Sequence, residues 1–159
     1  MEDRLFRNAM GKFATGVTVI TTNVNGTIHG MTANAFMSVS LDPKLVVISI
    51  GEKASMLEHI KQSGTFTVNI LSAQQQELSM LFAGQIKEKR NVNFSDLQGA
   101  PTIDDAIAQI SCEVASTYVE GDHTLFIGSV KNIQLEEGEP LLFFNGRYGT
   151  LAAETTMQV

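Results

Sequence analysis

The sequence predicts a mainly β protein whose strands form a closed or nearly closed barrel, decorated by about three short helices. Apolar and polar residues alternate over several stretches, and Gly, Asn and Asp separate these stretches at hairpin spacing. Residues 45–50 form a continuously apolar, β-branched run, which is typical of a strand covered on both faces. About six or seven strands in mostly antiparallel order are therefore expected, and a doubly wound sheet is disfavoured.

Composition and charge narrow the class of protein. With 159 residues, of which 43% are hydrophobic and 18% charged, we expect residues 1–159 to form one globular domain. The net charge of −6 argues against a nucleic-acid partner, which requires a basic face. No run approaches the roughly 18 apolar residues that cross a bilayer, and the first residues lack the order of a signal peptide. We therefore expect a cytoplasmic protein without a membrane partner.

The amino-terminal part is expected to hold a helix and a hairpin. Apolar residues recur at helical spacing between Glu2 and Phe13, which predicts an amphipathic helix. Residues 13–22 alternate as a strand, and Asn25-Gly26 is typical of a two-residue hairpin turn. The stretch from His29 to Pro43 is therefore the second arm of this hairpin.

This second arm stops alternating without becoming polar. Between Thr32 and Ser40, short hydroxyl and amide side chains are interleaved with apolar ones. Such a mixture suits a wall against which a flat, partly polar ligand lies. It suits equally a buried strand whose hydroxyls bond its own backbone.

Residues 45–50 are predicted to form a central strand, followed by helix and strand signals. Ser55, with Glu58 three places later, fits a capping box, so a helix should begin near Ser55 and end at Gly64. Residues 65–71 alternate as a strand, and the spacing of Ser72 and Gln75 predicts another short helix. A polar loop with three basic residues follows over residues 85–93.

The carboxy-terminal part reads as a long antiparallel hairpin and a returning strand. Residues 107–118 and 124–135 alternate on either side of a turn at Gly121-Asp122. Residues 140–144 return after a second turn.

The cysteine and histidine content excludes several kinds of site. The single cysteine, Cys112, permits no internal disulfide, and its register with apolar neighbours favours a buried core residue over a nucleophile. His29, His59 and His123 show no metal-ligand spacing, so no metal site is expected. The glycine-rich patterns of Rossmann folds and P-loops are absent from the sequence, so a nucleotide would be held in another way.

Local features favour an anionic ligand, although each has a purely structural alternative. Lys53 and Ser55 at a helix start would meet a phosphate, or belong to an ordinary capped helix. Lys89 in the basic loop adds charge near an anion, or is simply solvated. His123 sits in a turn at the mouth of the long hairpin, where it either faces a ligand or bonds its neighbours.

Several motifs in order resemble the short flavin reductases of two-component monooxygenases, which have the FMN-binding split-barrel fold. The resemblance covers nearly the whole chain and rests on residues 13–21, 30–43, 53–55, 81–83, 121–124, 126–130 and 140–149. Each piece is weak alone, but their order and spacing together are specific.

The resemblance implies an NAD(P)H-dependent flavin reductase that binds FMN or FAD, forms a homodimer and supplies reduced flavin to a monooxygenase. His123 would be the catalytic residue and would position the nicotinamide. The residues implied in flavin binding are Thr32, Ala33, Asn34, Ser38, Val39, Ser40, Ser49, Lys53, Ser55, Phe82, Lys89 and Tyr148. Of these, Ser49, Lys53 and Ser55 would hold the phosphate.

The sequence leaves alternatives open at this point. It does not separate FMN from FAD, and the lack of an arginine cluster favours NADH over NADPH. Three other functions compete with flavin reduction. They are a flavin-binding electron-transfer protein without nicotinamide access, a split-barrel oxidase of a phosphorylated vitamin, and a barrel for lipophilic ligands.

Overall fold

The computed structural model describes residues 1–88 and 90–152, so Lys89 lies outside the described residues. Twelve strands and three helices follow one another, with a short 3-10 turn at Ala73–Gln75 before the last helix. In chain order they are α1 (Asp3–Met10), β1 (Thr15–Gly16), β2 (Thr18–Val24), β3 (Thr27–Ala33), β4 (Phe36–Ser40), β5 (Leu45–Gly51), α2 (Met56–Ser63), β6 (Thr65–Ile70), α3 (Gln76–Phe82), β7 (Phe94–Leu97), β8 (Ala100–Ile103), β9 (Ala108–Glu120), β10 (His123–Leu135), β11 (Leu142–Phe144) and β12 (Arg147–Gly149).

The main sheet has seven antiparallel strands in the order β3-β2-β6-β9-β10-β5-β4. Its two edge strands, β3 and β4, are consecutive in the chain and are joined by Asn34-Ala35. In a flat sheet these edges would lie about 29 Å apart, whereas the link from Ala33 to Phe36 reaches at most about 11 Å. The sheet must therefore curl until its edges meet at Asn34-Ala35. The edges do not pair along the described strands, which confirms the split barrel.

Two smaller sheets accompany the main sheet. One has the order β1-β11-β12, and the other is the hairpin β7-β8. The predicted turn at Asn25-Gly26 is confirmed, since both residues have positive φ, 52° and 86°, as this turn requires. The long hairpin of β9 and β10 is also confirmed.

Apolar residues form two clusters. The larger one lies inside the curled sheet beneath α2 and includes Ile20, Ile48, Ile60, Phe66 and Phe126, all at most 1% exposed. Cys112 belongs to this cluster, and burial raises the pKa of its thiol to about 12. A thiol with this pKa stays protonated at neutral pH, which confirms a core role. The second cluster joins β2 to α3, β8 and β11 and is the one nearest the candidate site.

Four predictions about these elements are corrected. The strand β5 is not central, because only β4 lies beyond it, and its residues alternate between buried and half-exposed. Ser55 forms no capping box within the described chain, since its backbone is already helical (φ −59°, ψ −28°). The stretch from His29 to Pro43 is two strands, because the chain passes from one edge of the sheet to the other at Asn34-Ala35. The strands are also more numerous than predicted, since short pairs such as β7 and β8 were missed.

The remaining helix signals behave as expected. Gly64 ends α2 in the left-handed conformation, and the Ser72 N–H donates to Gln75 Oε1 before α3. Among residues 1–88 and 90–152, no helix is long and apolar enough to cross a membrane.

Candidate functional site

A cavity of about 170 Å³ lies where the two edges of the curled sheet meet. It brings together four of the predicted flavin-binding residues, Thr32, Ala33, Asn34 and Tyr148. The other lining residues are Val17, Ser79, Ala83, Gln85 and Phe143. The cavity thus draws its wall from β3, α3, β11 and β12, which are distant in sequence.

The hydroxyl groups that line this cavity all have hydrogen-bond partners within the protein. Thr32 Oγ1 donates to the carbonyl oxygen of Ser79 at 2.6 Å, and the Ser79 hydroxyl lies 2.8 Å from that of Tyr148. The ring of Tyr148 also meets Phe143 edge-on, with centroids 5.3 Å apart. Because these polar groups are satisfied, the wall behaves as largely apolar.

A second group of predicted residues lies at the adjacent ends of β5 and β10. His123 is the register partner of Gly51, and Leu125 is that of Ser49. The Glu52 N–H donates to the Asp122 carbonyl at 2.9 Å and fixes the turn against β5. The two groups are contiguous, because the Ser49 N–H donates to the carbonyl of Ala35 at 3.2 Å, next to Asn34.

His123 is oriented by the preceding carboxylate. Its Nδ1 lies 2.7 Å from Asp122 Oδ1, and its side chain is 49% exposed. The hydrogen bond from His123, followed by its charge, lowers the pKa of Asp122. Asp122 is therefore ionised at neutral pH and can accept the Nδ1 proton, and in that neutral tautomer of the imidazole Nε2 is an acceptor. Nε2 faces Gly51, where a Cβ would lie 3.5 Å away.

The start of α2 carries the groups that suit an anion. Lys53 and Ser55 are exposed just before the first helical turn, and the Ser55 side chain caps no N–H group of the described helix. Its hydroxyl is therefore available to a ligand at this helix start. Among the first N–H groups of α2, that of Leu57 already donates to the Ala54 carbonyl at 3.1 Å. The charge of Lys53 also contributes to the lowered pKa of Asp122.

The other predicted residues lie outside these two groups. Ser38, Val39 and Ser40 occupy the far half of the edge strand β4, where Ser38 pairs with Val46. Phe82 packs against Gly30 and Phe94 behind the cavity wall, and does not line the cavity. A larger cavity of about 320 Å³ lies beside α3 near the ion pair of Arg90 and Glu77, and none of the predicted residues that the structure describes lines it.

Comparison with known proteins assigns the family. The flavin reductase like domain matches residues 10–152. The chain belongs to this family. It is 41% identical over 148 residues to a NADH-dependent flavin reductase of Rhodococcus sp, covering 91% of this chain and 84% of that protein. It is 37% identical over 147 residues to the reductase component of 4-hydroxyphenylacetate 3-monooxygenase of Thermus thermophilus, covering 92% and 95%.

A solved structure of flavin reductase PheA2 in its native state superimposes with a TM-score of 0.95. It is 65% identical in sequence and covers 96% of this chain and 100% of that one. These similarities confirm the predicted family, the split-barrel fold and the enzyme class, an NAD(P)H-dependent flavin reductase.

Sequence reasoning missed five residues that line this cavity, namely Val17, Ser79, Ala83, Gln85 and Phe143. Ser79 had a weak signal, since it is a lone hydroxyl in the apolar run from Leu78 to Phe82. Gln85 carried no signal, because a polar residue in a polar loop is ordinary.

Proposed function

We propose that this chain reduces FMN or FAD with hydride from NADH and releases the reduced flavin to a partner monooxygenase. The observation that carries the proposal is the continuity of the two residue groups across Asn34-Ala35. An apolar slot for a ring system lies at one end, and a cationic helix start lies at the other. A flavin nucleotide has a matching arrangement, with a planar ring system at one end and a phosphate at the other.

The residues present fit this cofactor. Val17, Ala33, Phe143 and Tyr148 give the slot an apolar wall, while the Asn34 amide adds a polar group. Lys53, the Ser55 hydroxyl and the start of α2 form a donor set whose chemistry matches a phosphate. Bound flavin supplies the hydride-accepting ring, so the chain's own task is to bind and orient.

We assign the positioning of the nicotinamide to His123. With Nδ1 held by Asp122, its Nε2 offers a fixed acceptor near Gly51. A nicotinamide carboxamide carries an N–H group that can donate to such an acceptor. This role requires no proton transfer from the imidazole, because hydride transfer to flavin needs no strong acid.

Ser49 would also belong to the site, next to the phosphate of the flavin. The backbone of the edge strand at Ser38, Val39 and Ser40 would reach the ribityl chain. Phe82 would act by supporting the cavity wall. Lys89 stays a proposal from the sequence, since it lies outside the described residues.

We also propose a homodimer. In the isolated chain no residue of α1 is buried, although Leu5, Phe6 and Met10 are apolar and 54–62% exposed. An amphipathic helix with its apolar face in water is typical of a surface that a second copy covers. Sedimentation of the purified protein should give a species of twice the chain mass, and Phe6→Glu should shift it towards the monomer.

The proposal includes a single domain over residues 1–159 and a cytoplasmic location. The family match over most of the chain supports the single domain. The need for NADH supports the location, since this donor is a cytoplasmic metabolite. The buried, free thiol of Cys112 is compatible with a reducing compartment.

The decisive experiment is anaerobic mixing of the purified protein with FMN or FAD and then with NADH. We expect catalytic loss of the visible flavin absorbance, faster with NADH than with NADPH. Flavin that binds but is not bleached would indicate an electron-transfer protein instead. A protein that binds no flavin would refute the proposed function.

A further inference from the structure

Ser79 joins two walls of the cavity at a single residue. It is fully buried in α3, and its hydroxyl lies 2.8 Å from the Tyr148 hydroxyl on β12. Its carbonyl oxygen accepts from Thr32 Oγ1 on β3 at 2.6 Å. Thus one helical residue ties β3 and β12 to α3, and all three residues line the same cavity.

The ring of Tyr148 is held at both ends by this arrangement. The Ser79 hydroxyl is the only partner of the Tyr148 hydroxyl among the described residues, and Phe143 meets the ring edge-on at 5.3 Å. Without the Ser79 hydroxyl, the buried end of Tyr148 would lose its hydrogen bond and its fixed position. The ring would then turn towards the cavity or towards solvent, because an unpaired hydroxyl in an apolar site is unfavourable.

We propose that Ser79 is a positioning residue for flavin, which acts through Tyr148 by fixing the width of the slot that takes the flavin ring system. The inference rests on the proposed function. It goes further by naming the flavin ring system as the part of the ligand that enters the slot, and Ser79 as the residue that determines how well this ring system fits. The slot of about 170 Å³ has room for one ring of a tricyclic ligand, given that a cavity of about 150 Å³ accepts benzene. Because the hydroxyls of Thr32, Ser79 and Tyr148 already have partners within the protein, the slot favours an apolar ring edge over a carboxamide.

The position of Ser79 predicts a selective effect on binding of the flavin ring. Ser79→Ala should raise the dissociation constants of riboflavin and FMN equally, by about three- to tenfold, which is the scale of freeing one ordered side chain at a binding surface. The turnover number at saturating flavin and the KM for NADH should stay within about twofold of wild type. A merely structural role would lower the melting temperature without this split between flavin and NADH.

A double-mutant cycle and a matched control make the test specific. If Ser79 acts through Tyr148, then Ser79→Ala, Tyr148→Phe and the double variant should weaken riboflavin binding by similar factors, because each breaks the same bond. Ser111→Ala is the control, since Ser111 on β9 is 4% exposed and its hydroxyl accepts from the Asn132 N–H on β10, and neither strand contributes a residue to the lining. It should leave the riboflavin dissociation constant unchanged.

The outcomes are distinguishable. Unchanged riboflavin affinity in Ser79→Ala overturns the inference, as does a double variant whose effect is the product of the single effects, or an equal loss in Ser111→Ala. Wild-type protein that binds riboflavin but does not bleach FMN with NADH removes the proposed function, while the riboflavin measurements still decide the role of Ser79. Wild-type protein that binds no riboflavin refutes both.

Discussion

Gly30 is the position at which the fold leaves least space beside the candidate site. It lies on β3 opposite Thr21, and a Cβ there would be 2.5 Å from Cε1 and 2.7 Å from Cδ1 of Phe82. Real Cβ atoms essentially never show contacts shorter than 3.0 Å. Gly30→Ala therefore requires the aromatic ring or the strand to move.

Neither neighbour moves easily. Phe94 lies on the ring of Phe82, with centroids 6.3 Å apart, and both belong to the second apolar cluster. The helix α3 that carries Phe82 is held against β3 by the bond from Thr32 to the Ser79 carbonyl. Overpacking of this kind costs about 1–3 kcal/mol. For a chain of this length, the melting temperature should fall by about 2–12 °C.

Urea unfolding and thermal melting of Gly30→Ala test this expectation. The matched control is Gly16→Ala on β1, where a Cβ would meet nothing within 4 Å, so stability should stay within about 0.5 kcal/mol of wild type. In a Phe82→Ala background, Gly30→Ala should lose most of its cost, since the clashing ring is absent. A Gly30→Ala protein as stable as wild type would refute the argument that Phe82 and α3 are fixed against β3.

Three further outcomes test the site and its surroundings. His123→Ala should lower turnover with NADH by about ten- to a hundredfold while flavin affinity survives, since only positioning is lost; unchanged steady-state kinetics would remove His123 from the mechanism. Lys53→Ala combined with Ser55→Ala should weaken FMN binding by about 2–4 kcal/mol and leave the affinity for riboflavin nearly unchanged. Equal losses of affinity for FMN and riboflavin in fluorescence titrations would place the phosphate elsewhere. The ring of His29 stacks on that of His59 with centroids 3.6 Å apart, and burial, followed by the charge of His59, lowers the pKa of His29. The neutral His29 ring therefore contributes stability above about pH 6.5 that is lost as the pH falls through its lowered pKa. His29→Phe should flatten this decline in urea unfolding between pH 7.5 and 5, and an unaltered pH dependence would show that His29 is not its cause.

Local sequence signals predicted the elements that local physics determines. Asn25-Gly26 specifies its hairpin because both residues tolerate positive φ, and Gly64 ends α2 for the same reason. The long hairpin of β9 and β10 follows from alternation on both sides of Gly121-Asp122. In each case the deciding contacts lie within a few residues along the chain.

Where a strand lies in the sheet was not predictable in this way. An apolar run such as residues 45–50 has the same sequence pattern whether both faces of its strand are deeply buried or one face is only half covered. The depth of burial depends on which strands lie beyond it in the sheet. Similarly, Ser55 and Glu58 have the spacing of a capping box, but the helix begins with Ser55 already in helical geometry. The position of β5 in the sheet and the geometry at Ser55 both depend on tertiary packing. The spacing of neighbouring residues in the sequence does not predict either.

The candidate site shows the same division between local and distant contacts. Thr32, Ala33 and Asn34 were found because they are contiguous in an unusual stretch, whereas Ser79 meets Thr32 only through a contact 47 residues apart in sequence. That contact exists because α3 packs against β3, and the same arrangement places Tyr148 of β12 beside Ser79. The short link at Asn34-Ala35 therefore does more than connect two strands. By limiting the separation of the sheet edges to about 11 Å, it keeps the ring slot next to Ser49 and the anion-binding start of α2.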